Sequence, residues 1–278
     1  MLSLNHLIDI ALEEDIGNGD VTTDNLVSYS LQGKGLIVAK EPLVLAGIDV
    51  VRQVFSRLDP NIIFNSNYND GDSLKGGEKV LGVEGKLRDL LKGERTALNF
   101  LQRLSGIATN VRGYVKTLGA NKVRLVDTRK TTPGWRSLEK FAVRIGGAHN
   151  HRMGLFDGVL IKDNHIAIYG NIRQAVQEIR KKIPHLLKVE VEASSLSEVR
   201  EAVDSGADVI MLDNMNINQI KDALVVIDGA CLVEISGRVT KNDLPVLAAL
   251  GVDIISLGAL THSARFVDLS MQINRLEV

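Results

Sequence analysis

The amino-acid sequence predicts an α/β fold: a parallel barrel of βα units with fewer than eight strands, preceded by a small mixed α+β module. Three observations carry this expectation. After residue 123 short apolar runs alternate with amphipathic helical stretches, and parallel strands need crossover connections of that kind. The run ends at Asp127, Lys162, Glu192, Asp213, Ser236 and Gly258 lie 21 to 35 residues apart, the length of a βα unit. No Gly-rich dinucleotide turn follows the first run, which favours a barrel over an open nucleotide-binding sheet.

From the N-terminus, Leu4, Leu7, Ile8, Ala11 and Leu12 fall at helical spacing within residues 3–14, and Gly17 and Gly19 then stop the helix. Residues 34–85 change to short β-rich runs (GLIVAK, IIFNSNY, KVLGVEG) broken by Asp-Gly and Gly-Gly turns, around one helical pattern at 48–58. Residues 86–119 restore the helical period through Leu87, Leu90, Leu91, Ala97, Leu98 and Leu101, with a break expected at Ser105-Gly106. The runs VRLVD, VLIK, KVEVE, DVIML, CLVEI and DIISL are the predicted barrel strands.

Composition limits the functions that fit. With 45% hydrophobic and 24% charged residues, the 278-residue chain falls in the globular range, large enough for one big core or a domain with a smaller partner. A formal net charge of −1 supplies no whole-molecule field for nucleic acid or an anionic membrane, so any anion site must be local. A single cysteine, Cys231, excludes an internal disulfide and a multi-cysteine metal site; it reads as a small buried apolar residue in a reducing cytoplasm. The N-terminal MLSLNHLIDIALEEDIG acquires carboxylates too early for a signal peptide, and no stretch approaches the roughly twenty apolar residues of a spanning helix.

The charges that interrupt the apolar pattern fall at the carboxyl ends of the predicted strands, the rim where βα loops converge. Asp127-Thr128-Arg129-Lys130 follows the first strand and Lys162-Asp163-Asn164-His165 the second, then come Glu192, Asp213-Asn214, Glu234-Ile235-Ser236-Gly237 and Gly258-Ala259. From Arg124 to His165 there are eight Lys or Arg against four Asp or Glu. Of these, Glu139, Lys140 and Arg144 read as a solvated helix face around Phe141 and Val143. Arg129, Lys130, Arg152 and Lys162 stand at turns or strand ends, where they can converge on carboxylates or phosphates, so a polyanionic ligand is expected. Glu192 and Asp213 end neighbouring strands, and two carboxylates beside a pyrophosphate suit Mg²⁺; the alternative is that each neutralises a nearby cation. Ser236, Gly237 and Gly258 are small residues whose backbone N–H groups can meet phosphate. His149 and His151 alternate in a loop without carboxylate or cysteine at zinc-like spacing, and neither a nucleophile elbow nor a P-loop occurs.

Read as continuous strings, the segments resemble the quinolinate phosphoribosyltransferases over nearly the whole chain. The matching blocks are EEDIGNGDVTT at 13–23, GERTALNFLQRLSGIAT at 93–109, DTRKTTPGWR at 127–136, NHRMGLFDGVLIKDNHI at 150–166, VEVEA at 189–193, DVIMLDNM at 208–215 and GVDIISLGALTHSA at 251–264. The resemblance implies a type II phosphoribosyltransferase-like fold: an N-terminal α+β domain (1–107), an incomplete, about seven-stranded α/β barrel (108–265), and a C-terminal segment (266–278) packing on the N-terminal domain. It implies a pentosyltransferase acting on quinolinate and phosphoribosyl pyrophosphate with Mg²⁺, cytoplasmic, and a homodimer with a hexamer as a further option. Arg95, Arg129, His151, Arg152 and Lys162 match the pyridine-carboxylate pocket, and Thr128 belongs to the substrate-binding set beside them. Lys130, Glu192, Asp213, Ser236, Gly237 and Gly258 match positions around the phosphoribosyl donor, with Lys130, Glu192 and Asp213 as the catalytic set and His262 nearby. Arg95 lies in the segment before the barrel, so the resemblance implies that it reaches the neighbouring subunit's site.

Two departures stand out. The family's usual Ser-Gly-Gly is Ser236-Gly237-Arg238 here, so Arg238 either adds a phosphate ligand or points outward; Ala148 replaces a common glycine, tolerable unless that position needs positive φ. Alternatives remain open at this level: a relative associated with molybdenum transport operons, a Schiff-base lyase using Lys162 or Lys130, and a non-catalytic phosphate sensor.

Overall fold

The computed structural model describes residues 3–276. In chain order the elements are α1 (Leu4–Ile16), α2 (Val21–Leu26), β1 (Gln32–Ala39), β2 (Leu43–Val44), α3 (Ile48–Leu58), β3 (Ile63–Asn65), β4 (Ser73–Leu74), β5 (Lys79–Lys86) and α4 (Leu87–Leu118). They continue with β6 (Arg124–Val126), α5 (Arg136–Gly146), β7 (Val159–Ile161), α6 (Asp163–Tyr169), α7 (Ile172–Lys182), β8 (Val189–Ala193), α8 (Leu196–Asp204) and β9 (Val209–Asp213). The last are α9 (Ile217–Ile227), β10 (Leu232–Ser236), a 3-10 turn at Lys241–Asp243, α10 (Leu244–Ala248), β11 (Ile254–Ser256), α11 (Ala259–His262) and β12 (Leu269–Arg275). The chain divides into two compact units: Met1–Arg112 with Thr132–Gly147 and Thr261–Val278, and Gly113–Thr131 with Ala148–Leu260.

The first unit is built on an antiparallel sheet in the order β12-β1-β5-β3, so its sheet uses strands from both ends of the sequence. Alternation in β1 buries Ile37 and Ala39 against a core that includes Val54, Phe55, Leu98 and Leu101. The break expected in α4 at Ser105-Gly106 is absent: the helix is continuous from Leu87 to Leu118. Those two residues serve close packing instead. The Ser105 hydroxyl accepts from Ala46 N–H at 3.0 Å, and a Cβ on Gly106 would stand 2.0 Å from the carbonyl oxygen of Arg265.

The solvated-face reading of α5 is corrected as well. Glu139 and Lys140 are both fully buried, whereas Arg144 is exposed as expected. Glu139 Oε1 accepts from Arg103 Nη2 at 2.7 Å and Nε at 3.1 Å and from the Thr132 hydroxyl at 2.8 Å, which satisfies a charge that burial alone would make very costly. Trp135, at the start of α5, stacks on Phe100 of α4 with ring centroids 4.6 Å apart.

The second unit carries a parallel sheet in the order β6-β11-β10-β9-β8-β7, its strands joined through helices as the βα repetition requires. All six apolar runs become strands. A seventh, expected from the resemblance, is reduced to one parallel bridge, where His149 N–H donates to Leu125 O and Asp127 N–H to His149 O. Val191, Ile210, Leu212, Ile235 and Ile255 are buried on one face of this sheet. The alternating residues Glu190 and Glu192, Met211 and Asp213, and Glu234 and Ser236 lie on the other face. Among the described residues no helix is long and apolar enough to cross a membrane.

Candidate active site

At the carboxyl end of the second unit's sheet, each strand delivers a polar residue to one rim. Lys162 follows β7 and its ammonium pairs with Glu192 Oε2 at 2.5 Å across to β8. Asp213 ends β9, and its Oδ2 accepts from the Asn214 amide at 2.6 Å. Among the described residues Glu192 Oε1 and Asp213 Oδ1 keep no protein partner, so each carboxylate retains a free oxygen that could serve a cation. After β6, Thr128 is half-buried with its hydroxyl accepting from Lys130 N–H at 3.1 Å, while Arg129 and Lys130 are exposed.

The β9 and β10 tips are laced together. Asn214 takes a positive φ of 54° and donates its N–H to Ser236 O at 3.2 Å. Gly237 has φ +115°, and a Cβ there would lie 2.6 Å from Asn214 Oδ1 and 2.9 Å from its backbone nitrogen. Only glycine meets both demands. Beyond this turn a cleft of about 1030 Å³ opens, lined by Asn214, Asn216, Asn218, Ser236, Arg238 and Asp243. Arg238 is exposed and makes no hydrogen bond or ion pair among the described residues. Ala148, the other departure, is buried and not among the positive-φ residues, so its methyl carries no backbone strain. Cys231 is half-buried rather than buried, and desolvation raises its thiol so that it stays protonated.

The loop after the His149 bridge is held from below. Asp127, fully buried, accepts from His151 N–H at 2.9 Å and from the Asn150 amide at 2.7 Å. Arg152 donates from Nη1 to Gly158 O at 2.8 Å. Burial first, and then the like charge of Arg129, lower the Arg152 guanidinium, the signature of cations gathered where an anion would relieve them.

His151 itself is clamped by both ring nitrogens. Nε2 lies 3.2 Å from Glu190 Oε2 and 3.6 Å from Glu234 Oε2, and Nδ1 accepts from Arg152 N–H at 2.8 Å. Burial alone would lower the imidazole, but the two carboxyls outweigh it and push it up to about 10, while burial likewise raises Glu190. A proton on Nδ1 would face the Arg152 N–H at 2.8 Å, so the geometry makes Nε2, which faces the two carboxyls, the ring's donor. The three ligand atoms lie within 4.8 Å of one another, a spacing that also suits a metal. The ring argues against one: a metal-bound imidazole donates from its other nitrogen, whereas this Nδ1 accepts.

Thr128, Arg129, Lys130, His151, Arg152, Lys162, Glu192, Asp213, Ser236, Gly237, Arg238 and Gly258 all belong to the second unit, while Arg95 and His262 belong to the first. Arg95 is an exposed residue of α4, and His262 ends α11 with Nδ1 3.0 Å from the Ser263 hydroxyl. Sequence reasoning passed over Glu190 and assigned no role to Glu234. The signal was the two-residue spacing of Glu190 from Glu192 and of Glu234 from Ser236, which puts each pair on one face of its strand.

Two family models cover the chain: the quinolinate phosphoribosyl transferase N-terminal domain matches residues 20–105 and the C-terminal domain residues 107–272. A Bacillus subtilis protein described as a probable nicotinate-nucleotide pyrophosphorylase [carboxylating] is 42% identical over 272 residues, covering 98% of this chain and 94% of that protein. A tobacco (Nicotiana tabacum) protein, quinolinate phosphoribosyltransferase [decarboxylating] 2b, mitochondrial, is 37% identical over 290 residues, covering 98% of this chain and 82% of that protein. Among solved structures, NadC from Streptococcus pyogenes superposes with a TM-score of 0.95 at 41% identity, covering 100% of this chain and 99% of that one.

Proposed function

The chain belongs to the quinolinate phosphoribosyltransferase family, and from that premise we propose that its second-unit rim joins quinolinate to the ribose 5-phosphate of phosphoribosyl pyrophosphate. The products are nicotinate mononucleotide, pyrophosphate and CO₂, a step of NAD biosynthesis. The observation that supports this reading is that Arg129 stands close enough to Arg152 for its charge to be felt there, while the neighbouring strand ends carry Lys162, Glu192 and Asp213, the first two paired at 2.5 Å.

Arg129, Arg152 and Lys162 bind the two adjacent carboxylates and orient the ring nitrogen toward C1′ of the ribose, which converts part of the barrier into prepaid orientation. Thr128 and His151 border that pocket. As nitrogen bonds to C1′ and the bond to pyrophosphate breaks, Lys130 neutralises charge on the departing group. Glu192 and Asp213 fit Mg²⁺, because each retains a free hard oxygen and such an ion takes few protein ligands beside phosphate oxygens; when bound it would stabilise the same leaving charge. The ring nitrogen is then cationic. The carbon–carbon bond to the adjacent carboxylate breaks to release CO₂, and the electron pair left on the ring carbon is stabilised by that nitrogen before taking a proton from water. Ser236, Gly237, Arg238 and Gly258 bind donor phosphates from the β10 and β11 tips.

We further propose that the protein is cytoplasmic and a homodimer, with a hexamer as a further option, in which Arg95 reaches the pyridine pocket of the neighbouring subunit. The test is turnover of carboxyl-labelled quinolinate with phosphoribosyl pyrophosphate and Mg²⁺. One CO₂ and one pyrophosphate should appear per nicotinate mononucleotide; no product from folded protein would overturn the reading.

A further inference from the structure

Beneath the rim, two glutamates from different strands meet at one imidazole. Glu190 and Glu234 belong to β8 and β10, which are separated by β9. Strands two apart in a sheet are about 9.6 Å from each other, so the two carboxyls lean toward one another across β9 to stand 3.2 and 3.6 Å from a single Nε2. Both residues are buried, at 8% and 1% exposure, and the Oε1 atom of each has no hydrogen-bond partner among the described residues. Burying two carboxyls is expensive, and an apolar pair would fill a barrel interior at lower cost. Their retention calls for a role, and the geometry around His151 supplies one.

We propose that Glu190 and Glu234 are positioning residues: they fix the tautomer and tilt of His151 and, through its Nδ1, the backbone from which Arg152 extends. The chain of contacts is continuous. The Glu190 carboxyl accepts from Nε2 at 3.2 Å with Glu234 3.6 Å away, Nδ1 accepts from Arg152 N–H at 2.8 Å, and Arg152 Nη1 reaches Gly158 O at 2.8 Å. Asp127 holds the main chain of His151 from the other side at 2.9 Å. His151 and Arg152 lie in an irregular segment between the His149 bridge and β7, so the ring anchors do for this loop what a backbone ladder does inside a strand. A residue that binds a planar dicarboxylate bidentately tolerates little displacement, which is why the buried pair matters to an atom it does not touch. The inference rests on the reading of Arg152 as a carboxylate ligand, but the tautomer does not.

The experiment has two arms. In the full-length wild type labelled with ¹⁵N-histidine, the His151 resonances, assigned by their loss in His151→Gln, should show a protonated Nε2 and a bare Nδ1. In Glu190→Gln/Glu234→Gln, which preserves volume, the tautomer preference should fade, and KM for quinolinate should rise at least tenfold while KM for phosphoribosyl pyrophosphate stays within twofold. A wild-type ring protonated at Nδ1 would overturn the proposal, as would a folded double variant with both constants unchanged. If the double variant does not fold, Glu190→Gln alone carries the kinetic arm with the same expectation. A wild type that shows the Nε2–H tautomer yet binds no quinolinate would sink the proposed function and leave the positioning of the ring standing.

Discussion

Replacing Gly237 by alanine tests how the β10 turn serves the neighbouring strand. At φ +115° an L-residue lies outside even the left-handed well, a strain of order 1–3 kcal/mol. The new methyl would also stand 2.6 Å from Asn214 Oδ1 and 2.9 Å from Asn214 N, and one of these is backbone that cannot swing aside. Asn214 must therefore shift, and its amide is the group that holds Asp213 Oδ2 at 2.6 Å. Each kcal/mol lowers Tm by about 2–4 °C in a protein of this size, so strain alone should lower it by roughly 2–12 °C. The kinetic consequence should fall on the donor: KM for phosphoribosyl pyrophosphate rises at least tenfold, and quinolinate binding measured by calorimetry without donor changes little. Calorimetric melting and initial rates decide it. A Gly237→Ala protein with wild-type Tm and wild-type donor KM would refute the argument that the turn is a backbone-limited contact supporting Asp213.

Glu139→Ala should destabilise by about 3–5 kcal/mol in thermal unfolding, because it leaves the largely buried Arg103 guanidinium without its carboxylate; a loss under 1 kcal/mol would make the pair dispensable. Nicotinate should be a poor acceptor, since three cations facing one carboxylate leave charge unpaired, and equal kcat/KM for nicotinate and quinolinate would dismantle the dicarboxylate clamp. Arg95→Ala and Lys130→Ala, each nearly inactive alone, should regain activity on subunit exchange, up to about a quarter of wild type if dimers form at random; no recovery despite verified exchange would place Arg95 in its own subunit's site or outside any. Arg265 and the Asp268 N–H hold Glu41 down from 4.5 to about 2. Because the folded value is the lower one, this contribution is present above about pH 4.5 and lost as pH falls toward 2, so Glu41→Gln should show a shallower acid decline than wild type in denaturant titrations across that window.

Much of the second unit was legible because parallel strands buried on both faces read as apolar runs, and the rim showed as polar residues ending those runs. Long-range packing was not legible. Ser105-Gly106 looks like a helix stop in isolation, and only the approach of the Arg265 carbonyl, some 160 residues away in sequence, explains why small residues stand there. Glu139 and Lys140 fit a solvated face until the folded chain supplies Arg103 and Thr132 to Glu139. Glu190 was hidden by its own strand: within KVEVE it reads as the polar half of an alternation, and no local pattern says that a histidine from a distant loop will cap it.

The pairing of β12 with β1 carries a consequence for synthesis. Gly33 to Ala39 face Arg275 to Leu269, so about 230 residues must leave the ribosome between the first strand of this sheet and its edge partner. The first unit also draws Thr132–Gly147 from the middle of the chain. An N-terminal fragment ending at Arg112 would thus lack an edge strand and the carboxylate that neutralises Arg103, and it would expose a bare β1 edge open to intermolecular pairing. Such a nascent chain needs shielding until its last strand arrives.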